Sequence, residues 1–294
     1  MDFTEKLLKS THVRLAALAI GILSSLTKLL EFIFPAPVVQ AFASLGLIIV
    51  IIYFSFVIIY RLIGRSENEK VYQLISKRYG MSYELVEVDC TIKEDGSAHI
   101  QRNIDVRAYS KIEEVDNFML VKEKAADGKN RSIDFVGAKS LDSSHRVTIT
   151  DIKKEFGRLS AVVAITPILT EGDSLEYEMI ENLDAGLFAV NLTSQEIQNR
   201  ESKLDYFGWN INRPTRKLII RVFFPANFEP RWFRNQVKYA SVSGFPSDRD
   251  QQNETDRLEK PIIGRAHEGR CVLTQEIDFP MIGLIYILAW RPIP

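Results

Sequence analysis

The feature that most constrains this chain is a stretch of 20 residues without a charged side chain. Residues 41–60, AFASLGLIIVIIYFSFVIIY, are apolar almost throughout. At a rise of about 1.5 Å per residue, a helix of this length spans about 30 Å, the thickness of the hydrocarbon core of a bilayer. The stretch therefore predicts a transmembrane helix, and Arg61 and Arg65 follow it directly.

A second apolar run, residues 15–34, comes earlier in the chain and is preceded by Lys6, Lys9 and Arg14. The sequence PAPVVQ between the runs has two prolines, which end a helix, and no charge. The basic residues flank both outer ends of a helical hairpin. The positive-inside rule places these two ends in the cytoplasm. We expect a multi-pass protein of the inner (plasma) membrane, in contact with membrane lipid, with both termini and the remaining chain cytoplasmic. A basic start and an AFA-S match at 41–44 leave a cleaved signal peptide as an alternative.

The polar residues of the first predicted span lie on one side of a helix. Spacings of three and four residues form a single stripe of Arg14, Ala17, Gly21, Ser24, Lys28 and Glu31. Two interpretations remain open. Lys28 and Glu31 could extend to the outer interface and serve as anchors. Alternatively, several copies could form a homo-oligomer around a polar axis, in which case Gly21, Ser24, Lys28 and Glu31 line a pore.

The charge of the chain is divided unevenly. Residues 1–65 hold six basic and three acidic residues, whereas the whole chain has 37 basic and 38 acidic residues. A basic, apolar head and a mildly acidic body indicate two regions in different solvents. The two cysteines, Cys90 and Cys271, are too few for a disulfide framework, and we expect both to be reduced core residues.

Residues 66–79, SENEKVYQLISKRY, predict a short amphipathic helix. Ser66 and Glu69 match a capping box, and Gly80 stands where a helix C-terminal cap belongs. The apolar side of this helix consists of Val71, Leu74 and Ile75. The linker, residues 66–80, either transmits movement of the body to the membrane or is a passive spacer.

From residue 82 onward the apolar residues recur at every second position, which is typical of strands. Asp95-Gly96 predicts a hairpin turn between strands at 86–92 and 98–107. Further predicted strands lie at 132–138, 145–150, 159–166, 173–180, 216–224, 270–277 and 283–290. Residues 181–212 are less regular, and DRDQQNETDR (248–257) is interpreted as a polar loop.

The predicted fold class is therefore an α-helical transmembrane hairpin plus an all-β cytoplasmic domain. The domain is expected to be a sandwich or barrel of eight or more mainly antiparallel strands. The predicted boundaries are 1–65 for the membrane domain, with spans at about 15–34 and 41–60, then 66–80 for the linker, and 81–294 for the ligand-binding domain.

No catalytic or metal-binding motif is recognisable. The four histidines have no metal-ligand spacing, and neither cysteine belongs to a CxxC pair. Phosphate-binding glycine loops and the HExxH and GxSxG motifs do not occur. We expect a protein that is not an enzyme and needs no cofactor and no metal.

A binding function is indicated by residues 213–239, which are basic within an acidic body. The candidate ligand-binding residues are Arg213, Lys217, Arg221, Arg231, Trp232, Arg234 and Lys238. Cations interleaved with aromatic planes suit phosphates and stacked bases, so a nucleotide or a single-stranded oligonucleotide is the expected ligand. A solvated strand face beside a packing tryptophan, or a basic patch on anionic lipid heads, is the alternative.

A two-helix hairpin followed by a β-rich domain resembles the membrane effectors of bacterial anti-phage nucleotide-signalling systems. The likeness is based on the spans 15–34 and 41–60, on Arg61 and Arg65, and on the alternating strands from 86 to 290. These effectors include the two-helix β-barrel effectors of CBASS and the channel-forming effector of Hailong, which the length and the large body resemble more closely. The resemblance implies an oligomeric ion channel beneath a β-rich crown that binds an inhibitory single-stranded DNA signal. It also implies a partner nucleotidyltransferase and a role in antiviral defence by abortive infection, and it supplies no site residues.

The leading expectation is thus an oligomeric membrane effector, an ion channel or pore gated by a nucleotide or oligonucleotide signal on its β domain. The alternative is a membrane-anchored interaction or lipid-binding module with no pore.

Overall fold

The structure is a computed structural model that describes residues 67–120, 133–155, 158–190, 204–240, 246–266 and 269–292, together with Ser44, Gly46 and Ile48. The chain divides into two compact units, Met1–Glu69 and Lys70–Pro294. All strands of the described residues belong to the second unit.

The described part of the second unit is mostly β. Its strands are β1 (Met81–Ile92), β2 (Ala98–Ala108), β3 (Ile112–Leu120), β4 (Ile133–Ser140), β5 (Arg146–Glu155), β6 (Arg158–Leu169), β7 (Ser174–Leu183), β8 (Asp205–Asn210), β9 (Lys217–Phe223), β10 (Phe233–Tyr239), β11 (Ile262–Arg265), β12 (Cys271–Asp278) and β13 (Leu284–Trp290). Helix α1 covers residues 67–79 and helix α2 is Asp248–Arg257.

The strands form three sheets. The largest has seven strands in the order β11-β12-β9-β1-β2-β7-β4, and two sheets of three strands have the orders β10-β13-β8 and β3-β6-β5. Neighbouring strands are antiparallel except β1 and β9, which are parallel. Buried residues from all three sheets form one hydrophobic cluster, so the sheets surround a common core.

The hairpin of β1 and β2 has the predicted turn. Gly96 has a φ of +74°, and the Lys93 amide donates to the Ser97 carbonyl at 2.8 Å. A Cβ atom on Gly96 would collide with the carbonyl oxygen of Phe188, so only glycine fits this position. The turn fixes a register in which the predicted inward residues of both strands are buried, namely Val86, Val88, Cys90, Ile92, Ala98, Ile100, Ile104 and Val106.

One charged pair lies inside this apolar face. Arg102 is fully buried between Ile100 and Ile104, and its guanidinium forms an ion pair with the equally buried Glu181 of β7. The guanidinium carbon lies 4.7 Å from the ring centroid of Trp209 and 5.6 Å from that of Phe135. Burial lowers the pKa of Arg102 to about 9, so the guanidinium is still charged at neutral pH.

Helix α1 contacts the body through a different face from the one predicted. Tyr72 and Ser76 are buried, and the Tyr72 hydroxyl donates to the Tyr83 carbonyl at 3.2 Å. Val71 and Leu74 are 55% and 73% exposed. The phenol ring decides the orientation because it combines apolar area with a hydroxyl that has a partner inside the body.

Helix α2 occupies the segment interpreted as a polar loop. Ser247 caps its first turn reciprocally with Asp250. The buried Glu254 accepts from the Tyr286 hydroxyl and from Arg257 Nε, the latter at 2.6 Å. The helix is therefore attached to the sheet of β10, β13 and β8 by polar contacts rather than by an apolar stripe.

The expectations of a transmembrane hairpin, an inner-membrane location and an ion channel are corrected by the structure. Across the described residues, no helix is long and apolar enough to cross a membrane. A span requires about 20 predominantly apolar residues, whereas α1 covers 67–79 and is amphipathic, and α2 has 10 residues and is polar. The fold class is mostly β with short helices.

The two predicted spans, 15–34 and 41–60, lie outside the described residues except for Ser44, Gly46 and Ile48, which are helical. The proposed pore-lining residues Gly21, Ser24, Lys28 and Glu31 also lie outside them.

Candidate functional site

The structure separates the predicted ligand-binding residues into two groups. Lys217 and Arg221 lie on β9 in the middle of the seven-stranded sheet, and Arg213 lies in the segment just before it. The other four residues, Arg231, Trp232, Arg234 and Lys238, lie on β10 or immediately before it, in a different sheet. A single continuous patch of the seven residues is therefore not formed.

The cations of the first group are already paired with carboxylates. Arg221 contacts Asp89 at 2.7 Å through Nε and Glu87 at 3.1 Å through Nη2, both on the adjacent strand β1. Lys217 Nζ lies 3.2 Å from Glu276 on β12.

Arg213 lies 3.8 Å from Asp116. The positive charge of this first group is thus neutralised within the sheet, and a phosphate would have to displace carboxylates to bind there. We therefore leave Arg213, Lys217 and Arg221 out of the candidate site.

The second group lies on the outer side of the sheet of β10, β13 and β8. Cross-strand partners share a face, and Arg234, Ala289 and Tyr206 form one row across the three strands. The backbone amide of Arg291 donates to the Trp232 carbonyl at 3.0 Å and extends the pairing beyond β10 and β13. We call this surface the Trp232 face and define it by Tyr206, Arg231, Trp232, Arg234, Gln236, Lys238 and Arg291.

The local sequence explains why these side chains point outward. Val237 on β10 and Leu284, Tyr286, Leu288 and Trp290 on β13 are buried in the core. Because successive side chains alternate between faces, their neighbours Arg234, Gln236 and Lys238 must lie on the opposite side. Burial of the apolar side chains therefore fixes the basic side chains of β10 on the outer face of the sheet.

Two guanidinium groups surround the indole ring of Trp232. The guanidinium carbon of Arg234 lies 5.2 Å from the ring centroid, and that of Arg291 lies 5.4 Å from it. Both distances fall within the range of cation–π attraction. With its amide oxygen turned toward Arg234, Gln236 also accepts a hydrogen bond from Arg234 Nε at 2.6 Å. Two like charges therefore share one aromatic ring.

A second aromatic residue lies across the sheet. The Lys238 ammonium is 5.5 Å from the ring centroid of Tyr206, which is 37% exposed. Burial and the nearby Asp205 carboxylate raise the pKa of Tyr206. Its hydroxyl therefore stays protonated at neutral pH.

The positive charge of the Trp232 face is not neutralised. Arg231, Arg234, Lys238 and Arg291 are all exposed. In the part of the chain that the structure describes, none of them forms an ion pair with a carboxylate. This is the main electrostatic difference from Lys217 and Arg221, and it leaves the Trp232 face able to attract an anion.

Elsewhere, one cluster has the residue types of a hydrolase triad but not its geometry. Ser144 Oγ lies 2.8 Å from Nδ1 of His145, and Asp142 Oδ1 lies 3.5 Å from the same nitrogen. A catalytic triad requires the nucleophile and the carboxylate on opposite ring nitrogens. Among the described residues there is also no group of three or more metal-ligating side chains.

Three residues of the Trp232 face were not predicted from the sequence, namely Tyr206, Gln236 and Arg291. Tyr206 belongs to β8, within the segment considered irregular, and Arg291 follows a predicted strand whose partner was unknown. Gln236 lies between Arg234 and Lys238 at the same period of two, and this spacing was the one signal that could have identified it.

Comparisons with known proteins give little further information. No protein-family model matches the sequence, and no curated protein matches it. A protein of Parabacteroides distasonis assigned as a protease has a TM-score of 0.40 and 10% identity, over 72% of this chain and 40% of its own. An M1 zinc metallopeptidase from Deinococcus radiodurans has a TM-score of 0.33 and 11% identity, over 71% of this chain and 42% of its own.

The chain thus spans less than half the length of these two solved structures. At such scores and identities, neither peptidase supports an inference about this protein.

Proposed function

We propose that the β-rich unit binds a phosphate-bearing ligand with exposed bases, a nucleotide or a single-stranded oligonucleotide, on the Trp232 face. The observation that carries the proposal is the placement of Arg234 and Arg291 beside one half-exposed indole, with no carboxylate among the described residues to neutralise them.

The phosphate part of the ligand is suggested by the arginines. A guanidinium presents a planar fork of donors that matches phosphate oxygens, and it stacks on aromatic rings. Arg234 and Arg291 share the Trp232 ring, so their separation is limited, and an anion between them relieves their mutual repulsion. Arg231, which directly precedes Trp232 in the chain, is a further exposed cation.

The base part is suggested by the aromatic planes. Trp232 and Tyr206 both keep exposed ring area on the same face as the cations. Stacking on aromatic side chains contributes about 1–3 kcal/mol per base and requires bases that are not paired in a duplex. A single strand therefore fits this surface better than double-stranded DNA.

The expectations of an anti-phage role, a homo-oligomer and a partner nucleotidyltransferase stay predictions, as does the absence of enzymatic activity. The proposal concerns binding alone and does not depend on them.

Fluorescence anisotropy of a labelled oligothymidylate of about 12 nucleotides, within the usual site size of single-strand binders, tests the proposal. We expect the Arg234→Gln, Arg291→Gln double variant to bind at least about tenfold more weakly. Removing two phosphate contacts should also reduce the slope of log affinity against log salt by about 1.4. Arg265→Gln is the matched control because Arg265, on β11 of the seven-stranded sheet, is 68% exposed but paired with Glu229.

Two results would reject the proposal. One is equal affinity of the double variant and the wild type, with unchanged circular dichroism. The other is binding to vesicles of anionic phosphatidylglycerol without binding to the oligonucleotide, which would assign the face to lipid phosphates instead.

A further inference from the structure

A groove separates the edges of the two sheets that do not carry the Trp232 face. Its volume is about 700 Å³, and it is lined by 135–140 of β4, by 146–149 and Ile152 of β5, and by Asp142 and His145 between the two strands. β4 is the last strand of the seven-stranded sheet, and β5 is the last strand of the sheet that also contains β3 and β6. The turn at 141–145 joins the two strands and closes one end of the groove.

The lining residues show that both strands turn their edges toward the groove. A strand that presents one side of its sheet contributes every second residue. Here β4 contributes six consecutive residues, and β5 contributes the four consecutive residues 146–149 as well as Ile152. Backbone N–H and C=O groups therefore form much of both walls. Within the described residues, β4 pairs only with β7, and β5 pairs only with β6, so these edges have no strand partner.

Neither edge is protected by short length or by proline. Edge strands are commonly very short or interrupted by proline, whereas β4 has 8 residues, β5 has 10, and neither contains proline. Each strand has an irregularity in its register, at Phe135/Gly137 in β4 and at Ile149/Asp151 in β5. Such bulges are frequent beside binding sites and re-aim side chains.

Apolar side chains lie along the groove. Val136, the extra residue of the β4 bulge, is 59% exposed, and Ile152 on β5 is 46% exposed. In strand addition, backbone hydrogen bonds provide affinity, and pockets for alternate side chains provide selectivity. Val136 and Ile152 offer contacts for such alternate side chains.

The charges of the groove favour an acidic occupant. Lys139 is paired with Glu178 at 2.9 Å. The Asp142 carboxylate accepts from the backbone amides of Ser144 and His145, both at 2.9 Å, and is thereby committed to its own turn. Arg146 is exposed and, among the described residues, has no carboxylate partner.

We propose that this groove binds an extended peptide segment of a partner protein by β-strand addition. The segment hydrogen-bonds to the open edges of β4 and β5, places apolar side chains against Val136 and Ile152, and carries an acidic residue opposite Arg146. The site is independent of the Trp232 face.

Gly137 provides a substitution that fills the groove without disturbing the fold. A Cβ atom added at Gly137 has no neighbour within 4 Å, and Gly137 lines the groove. Gly264 is the matched control because it lies on β11, at the opposite edge of the same sheet, and its added Cβ makes only an ordinary 3.6 Å contact with Val272.

The probe is a phage-displayed library of random linear peptides, selected against the whole chain and then synthesised with a fluorescent label. We expect enriched peptides to contain a carboxylate and to bind at least about tenfold more weakly to Gly137→Leu, while Gly264→Leu binds normally. Methylation of alternate backbone nitrogens in the peptide should abolish binding, and Arg146→Gln should weaken it.

The proposal fails if no peptide is enriched, or if enriched peptides bind Gly137→Leu as tightly as the wild type. It also fails if N-methylated peptides retain their affinity, because backbone pairing would then not be the mode of binding.

Discussion

The buried pair of Arg102 and Glu181 is the residue-scale feature with the largest expected effect on stability. Both side chains are fully buried, and their charges compensate each other in a region of low polarity. Removing one partner of a buried pair leaves an uncompensated charge, whereas replacing both by apolar residues is often neutral. The two kinds of change therefore distinguish a structural pair from a surface contact.

Glu181→Ala is expected to lower the free energy of unfolding by about 3–5 kcal/mol, because Arg102 remains charged and buried. The double change Arg102→Met, Glu181→Leu should recover most of this loss. Urea unfolding followed by circular dichroism measures both. Glu276→Ala is the control, since it removes a half-exposed ion pair with Lys217 and should cost at most about 1 kcal/mol. Similar losses for Glu181→Ala and Glu276→Ala would contradict the assignment.

The sequence contained part of this information. The alternation that places Ile100 and Ile104 inside also places Arg102 on the same face, so a buried arginine was predictable. The identity of its partner was not, because the pairing of β2 with β7 depends on tertiary structure. The Trp232 face has the same limit. Trp232, Arg234 and Lys238 were predicted from the basic composition of residues 213–239, whereas Tyr206 and Arg291 lie on or beside strands whose neighbours the sequence does not specify.

At the scale of elements, α2 shows how a polar sequence forms a helix. Its residues, DRDQQNETDR, have no apolar stripe, which is why they were interpreted as a loop. The available signal was the reciprocal cap, since Ser247 precedes Asp250 by three residues. Polar contacts then attach the helix, including a bond of 2.7 Å from the Gln251 side chain to the Val237 carbonyl.

Ser247→Ala is expected to reduce the free energy of unfolding by about 1 kcal/mol, because the first turn loses its side-chain acceptor. Thermal unfolding monitored by circular dichroism is the measurement, and Asn253→Ala on the exposed side of α2 is the control. Hydrogen bonds from Ser247 lower the pKa of Asp250. The contribution of this carboxylate to the stability of the fold is therefore present above its pKa in the unfolded chain, and it is lost as the pH falls through its pKa in the folded protein. A Ser247→Ala effect no larger than that of the control would show that the cap is dispensable.

At the scale of the whole molecule, the two thiols report on the integrity of the sheet. Cys90 and Cys271 are free and buried, which confirms the prediction of unbridged core residues. Burial raises the pKa of Cys90 well above its ordinary value and that of Cys271 to about 11. The reactive thiolate form is therefore scarce while the sheet is intact.

We expect an aromatic disulfide reagent at pH 8 to label neither cysteine in the native protein and both in concentrated urea. Single Cys90→Ser and Cys271→Ser variants assign the signal to each position. If the labelling rates of both cysteines rise over the same range of urea concentration, the sheet unfolds as one cooperative unit. Rapid labelling of Cys271 alone in the absence of urea would instead show that β12 opens separately.

The general class of the body was predictable from the sequence, whereas its assembly was not. Period-two alternation identified β1, β2 and most later strands, because one face of each is buried. It did not identify β3, β8, β10 and β11, whose burial patterns are mixed or whose segments are short. Hydropathy alone also suggested a membrane protein, a prediction that the described residues do not support.

The parallel pairing of β1 with β9 has a consequence for biosynthesis. The residues that join these strands are far apart in the chain, as in the contact between Asp89 and Arg221, which are separated by 132 positions. A ribosome makes about 5–20 residues per second, so β1 waits about 7–26 seconds for its partner. During that interval one edge of the β1–β2 hairpin is uncovered, and contacts of such long sequence separation form slowly. A nascent chain stopped before β9 would thus expose an aggregation-prone strand edge. The yield of soluble protein should therefore depend on chaperones that shield such edges.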